Sequence, residues 1–336
     1  MPVNVLIVGG GSIGERHLRC FQQVGCDVAL CELIDERRHA LAERYHPAQT
    51  FASLAEAAGQ RWYGAVICTP ANLHVEHAAA LAPVCDALLI EKPLCLVRED
   101  VARLRAATAG KVVQVAYVLR HHPACQRARE LLAEGSIGPL LQINVVAGQH
   151  FPTYRPAYRD IYYAQRETGG GALQDAATHL LDLIQSLAGP LDWVFCDLAH
   201  QALEGVTVED TVHVAGRAGG GQVLVSLALN QFMAPNEMHL WLNGRRGSLA
   251  IRLHEQRAGI YLHGDSQWTW TEPLIEERDD LFRAQAESFL AAMVGQQPPL
   301  CTLDDGAQAL ETVLACLESA ERGVPVQVVR GTGRTA

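Results

Sequence analysis

The 336-residue chain holds no apolar run of the roughly 20 residues that a membrane-spanning helix needs. Its most apolar stretches are interrupted by Pro83 and Asp86, or by Asp175, His179 and Asp182. Basic residues are also short: 27 Lys and Arg face 37 Asp and Glu, a formal net charge of −10, and they form no run. Nucleic-acid backbones and anionic membranes reward clustered Lys and Arg, so neither is expected as a partner. None of the ten cysteines forms a C-x-x-C pair, and most lie in apolar surroundings. This usage fits buried, reduced thiols and argues against a disulfide framework or a zinc centre. Internal repeats and low-complexity segments are absent, and because an apolar strand begins almost at once at Val3, no secretory signal is expected. A cytoplasmic protein is the expectation.

What is present is the composition of a globular protein, 49% hydrophobic and 19% charged. The length exceeds that at which one core keeps growing, so two domains are expected. Residues 3–8 form an apolar run of strand length. Gly9-Gly10-Gly11-Ser12-Ile13-Gly14 follows, then a helical pattern through Leu18, Phe21 and Val24. This is G-x-G-x-x-G between a strand and a helix. Gly9 permits the tight turn, Gly11 lets the backbone approach a pyrophosphate, and Gly14 permits close helix–strand packing. A second strand at 27–31 ends at Glu32, 18 residues after Gly14. An acid there binds the adenosine ribose hydroxyls and repels a 2′-phosphate, which favours NAD over NADP. Arg37 and Arg38 offer the competing reading of a phosphate ligand.

Strand patterns at 64–68, 87–90 and 112–118 then alternate with helical patterns at 74–81 and 98–108. Such alternation builds a doubly wound parallel sheet whose ligands lie beyond the carboxyl ends of its strands. Thr69-Pro70-Ala71-Asn72-Leu73-His74 and Glu91-Lys92-Pro93 stand at two such ends. The second half opens with a helix at 124–134 and a strand at 140–146. A polar, aromatic loop at 151–167 carries Tyr154, Arg155, Tyr158, Arg159, Asp160, Tyr162 and Tyr163. Gly169-Gly170-Gly171-Ala172-Leu173-Gln174-Asp175 then starts a helical pattern that ends near Leu187, with Asp175, His179 and Asp182 on one stripe. Strand patterns at 193–198, 211–217, 222–229, 238–242 and 248–252, two of their joints glycine-rich, argue for a largely antiparallel sheet. Two further helices are read at 279–294 and 304–321.

The Gly9–Gly14 turn, Thr69-Pro70 with His74, and Glu91-Lys92-Pro93 come in the order and spacing of the Gfo/Idh/MocA oxidoreductase family, which the chain resembles over nearly its whole length. Gly169 to Asp175 with His179 is similar to that family's second signature. Arg120-His121-His122-Pro123 leading to Glu134-Gly135-Ser136-Ile137-Gly138 also matches. The resemblance implies an α/β protein: an N-terminal NAD-binding Rossmann domain at 1–120, and a C-terminal α+β domain at 121–330 with a large, mostly antiparallel open sheet. Helices would cover one face of that sheet, and a second subunit the other, in a homodimer or homotetramer. Residues 331–336 read as a disordered tail. The implied cofactor contacts are Gly9, Gly11, Ser12, Ile13, Gly14, Glu32, Thr69, Pro70, Asn72, His74, Glu91 and Lys92. The implied catalytic set is Lys92, Asp175 and His179. Arg120, Arg159 and Tyr163 would join Asp175 and His179 on the substrate, and the Lys-Pro bond would be cis.

Oxidising a secondary alcohol needs a hydride acceptor, a base for the hydroxyl proton and a donor or cation on the developing oxyanion. Lys92 can supply the cation, although most lysines are simply solvated. His179, with an ordinary pKa of about 6.5, suits proton exchange near neutrality, and Asp175 one turn earlier can orient it. On spacing alone the pair reads better as a helix-surface contact, and it is the glycines and Lys92 that favour chemistry. A shared metal ion would lack an obvious third ligand, and none is expected. Asp182 reads as structural support. Arg120 and Arg159 suit an anionic sugar, or ordinary loop ion pairs. The expected activity is NAD-dependent hydride transfer to or from a secondary alcohol of a sugar, cyclitol or sugar derivative. The alternative is a non-catalytic NAD-binding sensor of the same fold. Steady-state turnover with the two cofactors tests the Glu32 assignment: NAD should be preferred, and a clear preference for NADP would overturn it.

Overall fold

A computed structural model describes residues 3–273 and 277–331. The early apolar runs become a six-stranded, wholly parallel sheet: Asn4–Val8 (β1), Asp27–Cys31 (β2), Gln49–Phe51 (β3), Trp62–Ile67 (β4), Cys85–Ile90 (β5) and Val112–Val115 (β6). Their order is β3-β2-β1-β4-β5-β6, the doubly wound arrangement whose switch point lies between β1 and β4. The register matters for function. Val8 aligns with Cys31 and Ile67, Ile67 with Ile90, and Ile90 with Val115. All these strands end level, so the turns that follow them share one edge.

Two glycines set the first of these turns. Gly9 has φ +94°, and a Cβ on Gly14 would lie 1.8 Å from the Gly9 carbonyl oxygen. No side chain fits there, so the helix Ser12–Gln23 can start directly against β1. The strand read at 112–118 stops at Val115, because the Tyr117 N–H turns back onto the Val115 carbonyl and a tight turn follows at Val118–His121. The short strand β3 has no clear pattern in the sequence.

The chain divides into two compact units, one running to Val118 and taking back Glu277–Ala307, the other holding Leu119–Glu276 and the chain from Gln308. The boundary read at 120 lies two residues from the first division, but the return of 277–307 is a new finding. Its helix Arg278–Met293 packs on the first sheet through Ala286 and Phe289, in one apolar core with Val5, Ile7, Leu30 and Val66. Asp279 at its start accepts hydrogen bonds from Arg16 and Arg19 of the first helix.

The second unit is built on nine strands: Leu140–Gly148 (β7), Leu191–Ala199 (β8), Thr211–Ala218 (β9), Val223–Asn230 (β10), Glu237–Gly244 (β11), Gly247–Arg252 (β12), Arg257–Leu262 (β13), Thr269–Trp270 (β14) and Val326–Gln327 (β15). The order is β14-β13-β12-β11-β7-β10-β9-β8-β15. Only β7 and β10 run parallel; every other neighbouring pair is antiparallel. β13, β14 and β15 escaped the sequence reading, the last two because two residues carry no periodicity. Alternate residues Leu240 and Leu242 of β11 join Ile143 and Val145 in a core closed by Ala124 and Leu131 of the helix Pro123–Ala133, by Leu180 and Ile184 of the helix Thr178–Ala188, and by Val313 and Cys316. The helices therefore cover one face, and Trp241, between the two leucines, points to the other.

None of the ten cysteines forms a disulfide, and nine are buried. Burial pushes the thiols up, Cys20, Cys26 and Cys31 to about 11, Cys85 and Cys125 to about 12, so they stay protonated and unreactive. The tail read at 331–336 lies, beyond Gly331, outside the described residues.

Candidate active site

In the first unit the chemistry-bearing residues follow the level strand ends. A Cβ added to Gly11 would meet nothing within 4 Å, so the backbone opening the first helix has open space above it, where a pyrophosphate fits. Glu32, directly after β2, is buried, and its carboxylate accepts from the Gly10 N–H at 2.7 Å and the Ile34 N–H at 2.8 Å. Arg37 leans on the same carboxylate at 3.4 Å, and Arg38 is held by the Glu32 carbonyl and Asp35. Both arginines are thus engaged with acceptors of the turn itself. The donor set fits an adenine dinucleotide with free ribose hydroxyls better than one carrying a phosphate.

The turns after β4 and β5 are pinned together by His74. Its buried ring lies 2.8 Å from the Thr69 carbonyl and 2.9 Å from the Pro93 carbonyl. Burial pushes its pKa down, opposed by those two acceptors, and a neutral imidazole donates to only one of them. Thr69 Oγ1 is 3.0 Å from His77 Nδ1. Glu91, placed by sequence on the cofactor, is instead packed inward: one oxygen lies 2.7 Å from His17 Nε2, and the other accepts the Lys92 N–H at 3.2 Å. His17 is fully buried on the first helix. Lys92 is half-buried, and its bond to Pro93 is cis. The chain has only two lysines, and the other, Lys111, donates to the Cys85 carbonyl.

In the second unit the helix expected from Gly169 onward is interrupted. Leu173–Ala177 is a π turn, in which the Thr178 N–H reaches the Leu173 carbonyl five residues back, and the α-helix begins at Thr178. Such widened turns concentrate at functional sites. Gly171, at φ +89°, is needed because a Cβ would lie 2.4 Å from a Glu209 carboxylate oxygen. That carboxylate accepts from the Leu173 N–H at the start of the turn and from Arg166.

Asp175, in the π turn, is 3% exposed. One of its oxygens accepts from Arg155 at 3.0 Å, the other from the Tyr162 hydroxyl at 2.6 Å. The Asp175 charge in turn raises the Arg155 pKa. His179 follows one turn later and is half-buried. Asp182 takes a different partner. Arg120 grips it with two hydrogen bonds, 2.9 and 2.7 Å, in a buried pair. Breaking such a pair from one side costs about 3–5 kcal/mol. The supposed polar stripe therefore splits into a site carboxylate with Arg155 and a structural one with Arg120. His121 and His122, beside Arg120, are pushed down to about 4, mainly by burial, and are neutral near pH 7.

The loop before the glycines is folded on its own apolar cluster of Phe151, Tyr158, Tyr163, Leu203, Val206 and Val208. Tyr163 lies inside it, and its hydroxyl is hydrogen-bonded to Gln231. Arg159 lies over the Tyr158 ring and donates to the Glu204 carbonyl. Arg155 and Tyr162, not Arg159 and Tyr163, are the loop side chains that reach Asp175.

The model of the oxidoreductase family's NAD-binding Rossmann fold matches residues 3–117, and that of its C-terminal alpha/beta domain matches residues 129–328. The chain belongs to the Gfo/Idh/MocA oxidoreductase family. It is 25% identical to the 1,5-anhydro-D-fructose reductase of Ensifer adhaerens, over 90% of this chain and 91% of that one. It is 30% identical to inositol 2-dehydrogenase 3 of Saccharopolyspora erythraea over 56% of this chain and 54% of that one. The structure of a levoglucosan dehydrogenase in complex with NADH and levoglucosan superposes with a TM-score of 0.88 at 21% identity, covering 98% of this chain and 100% of that one.

Three residues with buried partners escaped the sequence reading, His17 in the first unit and Arg155 and Tyr162 in the second. Arg155 and Tyr162 were visible as members of the loop, but nothing in their spacing distinguished them from Arg159 and Tyr163. His17 had a usable signal, since a histidine is expensive on the buried face of a helix unless a partner waits there. Replacing it by Ala leaves the Glu91 carboxylate without its partner, and His17→Ala should lose on the order of 3 kcal/mol of stability. Denaturant titration measures this; an unchanged midpoint would show that the contact contributes nothing.

Proposed function

We propose that the chain is an NAD-dependent oxidoreductase that moves a hydride between nicotinamide and a secondary alcohol carbon of a sugar, cyclitol or sugar derivative. The observation that carries the reading is the shared edge of the first sheet: an open glycine turn, a buried ribose acid and one of the chain's two lysines follow three of its strands. Bound NAD supplies the hydride acceptor. Glu32 holds the adenosine ribose, with its Gly10 and Ile34 bonds fixing the carboxylate plane. Lys92 donates to the reacting hydroxyl and stabilises the alkoxide as it forms. His179 accepts the hydroxyl proton. Asp175 stabilises the imidazolium that results, and Arg155 with Tyr162 keeps that carboxylate ionised and oriented. The same residues run the reduction in reverse.

The substrate class rests on the relatives named for an anhydro sugar and for inositol. Tyr162, 42% exposed, and Arg155 are the residues we assign to substrate discrimination; Arg120 positions the helix that carries His179. A ligand sensor of this fold has no need of a clamped Asp175 four residues before a half-buried His179, and no feature of the site favours that reading.

Among the described residues no helix is long and apolar enough to cross a membrane. We assign the protein to the cytoplasm. The outer face of the second sheet exposes Val146, Phe195, Leu224 and Trp241, an apolar set that suits a second copy in a dimer or tetramer. A screen of sugars, inositols and sugar acids with NAD identifies the substrate. With it, Lys92→Met and His179→Ala should each bind NADH as the parent does and lose about 10²–10⁴-fold in turnover. Near-full turnover in both would overturn the mechanism.

A further inference from the structure

On the face of the second sheet turned away from the helices, three side chains converge that the proposed hydride transfer does not use. Glu237 and His239 stand on β11, alternating with buried Leu240, and His254 comes from the tight turn Leu253–Glu255 after β12. Each of the three offers one ligand atom, and these atoms all lie within 4.8 Å of one another. Glu237 Oε2 and His239 Nε2 are hydrogen-bonded at 3.1 Å, a contact that an ion with bonds of about 2.0–2.1 Å would replace. We propose that Glu237, His239 and His254 form a binding site for a divalent transition-metal ion of the zinc class.

Three features beyond proximity support it. The His239 ring is stacked parallel on Trp241, with centroids 5.5 Å apart and planes 5° apart, which fixes its orientation. His254 Nδ1 lies 3.2 Å from the Met238 backbone nitrogen, whose N–H donates to it, and 3.3 Å from the Met238 carbonyl oxygen, so the backbone between Glu237 and His239 holds the ring in place. The turn that presents His254 closes on Gln256 in the left-handed region, φ +60°, a conformation uncommon outside glycine. The donor set of two imidazoles and a carboxylate suits zinc, copper or nickel, not magnesium or calcium, which prefer all-oxygen shells. Since β11 and the turn after β12 are joined by the ion, its role is to clip the start of β11 to that turn.

Chelator-treated full-length protein titrated with zinc chloride tests the proposal, calorimetry giving stoichiometry and affinity. Cobalt substitution reports the ligand type, because thiolate ligands give charge-transfer bands that imidazole and carboxylate do not. The expected result is one saturable site per chain, cobalt spectra without thiolate bands, and a rise in melting temperature with zinc. His239→Ala with His254→Ala should abolish the site and the rise, and either change alone should weaken binding about tenfold or more. Circular dichroism and metal-free melting temperature, unchanged in the variants, show that they are folded. Wild-type protein that binds no zinc, or a double variant that binds it equally well, overturns the proposal.

Discussion

Burying the carboxylate of Asp175 is the constraint from which the second unit takes its shape. An ionised carboxylate at 3% exposure is tolerable only with a cation and a donor in contact. Both come from the preceding loop, as Arg155 and Tyr162. The loop can deliver them because Phe151, Tyr158 and Tyr163 give it a small core of its own. The chain then has to return sharply, which Gly171 allows by passing against Glu209. The π turn follows and places Asp175 one turn ahead of His179. Loop, glycines, π turn and helix form one device for holding a charge where an apolar helix would exclude it.

The first unit solves a different problem, that of bringing several backbone turns to one place. A parallel sheet does this without special contacts, since strands that end in register deliver their turns to a common edge. The side chains at that edge then stiffen it. His74 joins the turns after β4 and β5, and His17 holds Glu91 beneath Lys92. His74 and Glu91 thus bond within the protein. They shape the surface that Glu32 and Lys92 present.

Much of this was legible in the chain. Glycine spacing, the strand–helix alternation and the acid at Glu32 read directly, because each is a local pattern with a local cause. The doubly wound sheet, the open antiparallel sheet and the cis Lys92–Pro93 bond all appear as expected. What stayed hidden depends on long-range pairing. Arg120 carries no local sign that Asp182, 62 residues on, accepts two hydrogen bonds from it. The π turn was hidden because one widened turn leaves the heptad-scale apolar pattern intact. The helix Arg278–Met293 belongs to the first unit although it follows eight strands of the second sheet in the chain, and no sequence feature of that segment names its destination.

The account stands or falls on Asp175 acting in the chemistry and not only in the fold. The direct measurement is single-turnover hydride transfer by Asp175→Asn, followed by nicotinamide absorbance, with NAD affinity and circular dichroism taken on the same samples. Asn preserves the size and the Tyr162 contact while removing the charge. The account predicts a folded protein with ordinary NAD affinity whose hydride transfer is slower by about 10²–10⁴-fold. Transfer at the parent rate in that folded variant would contradict it.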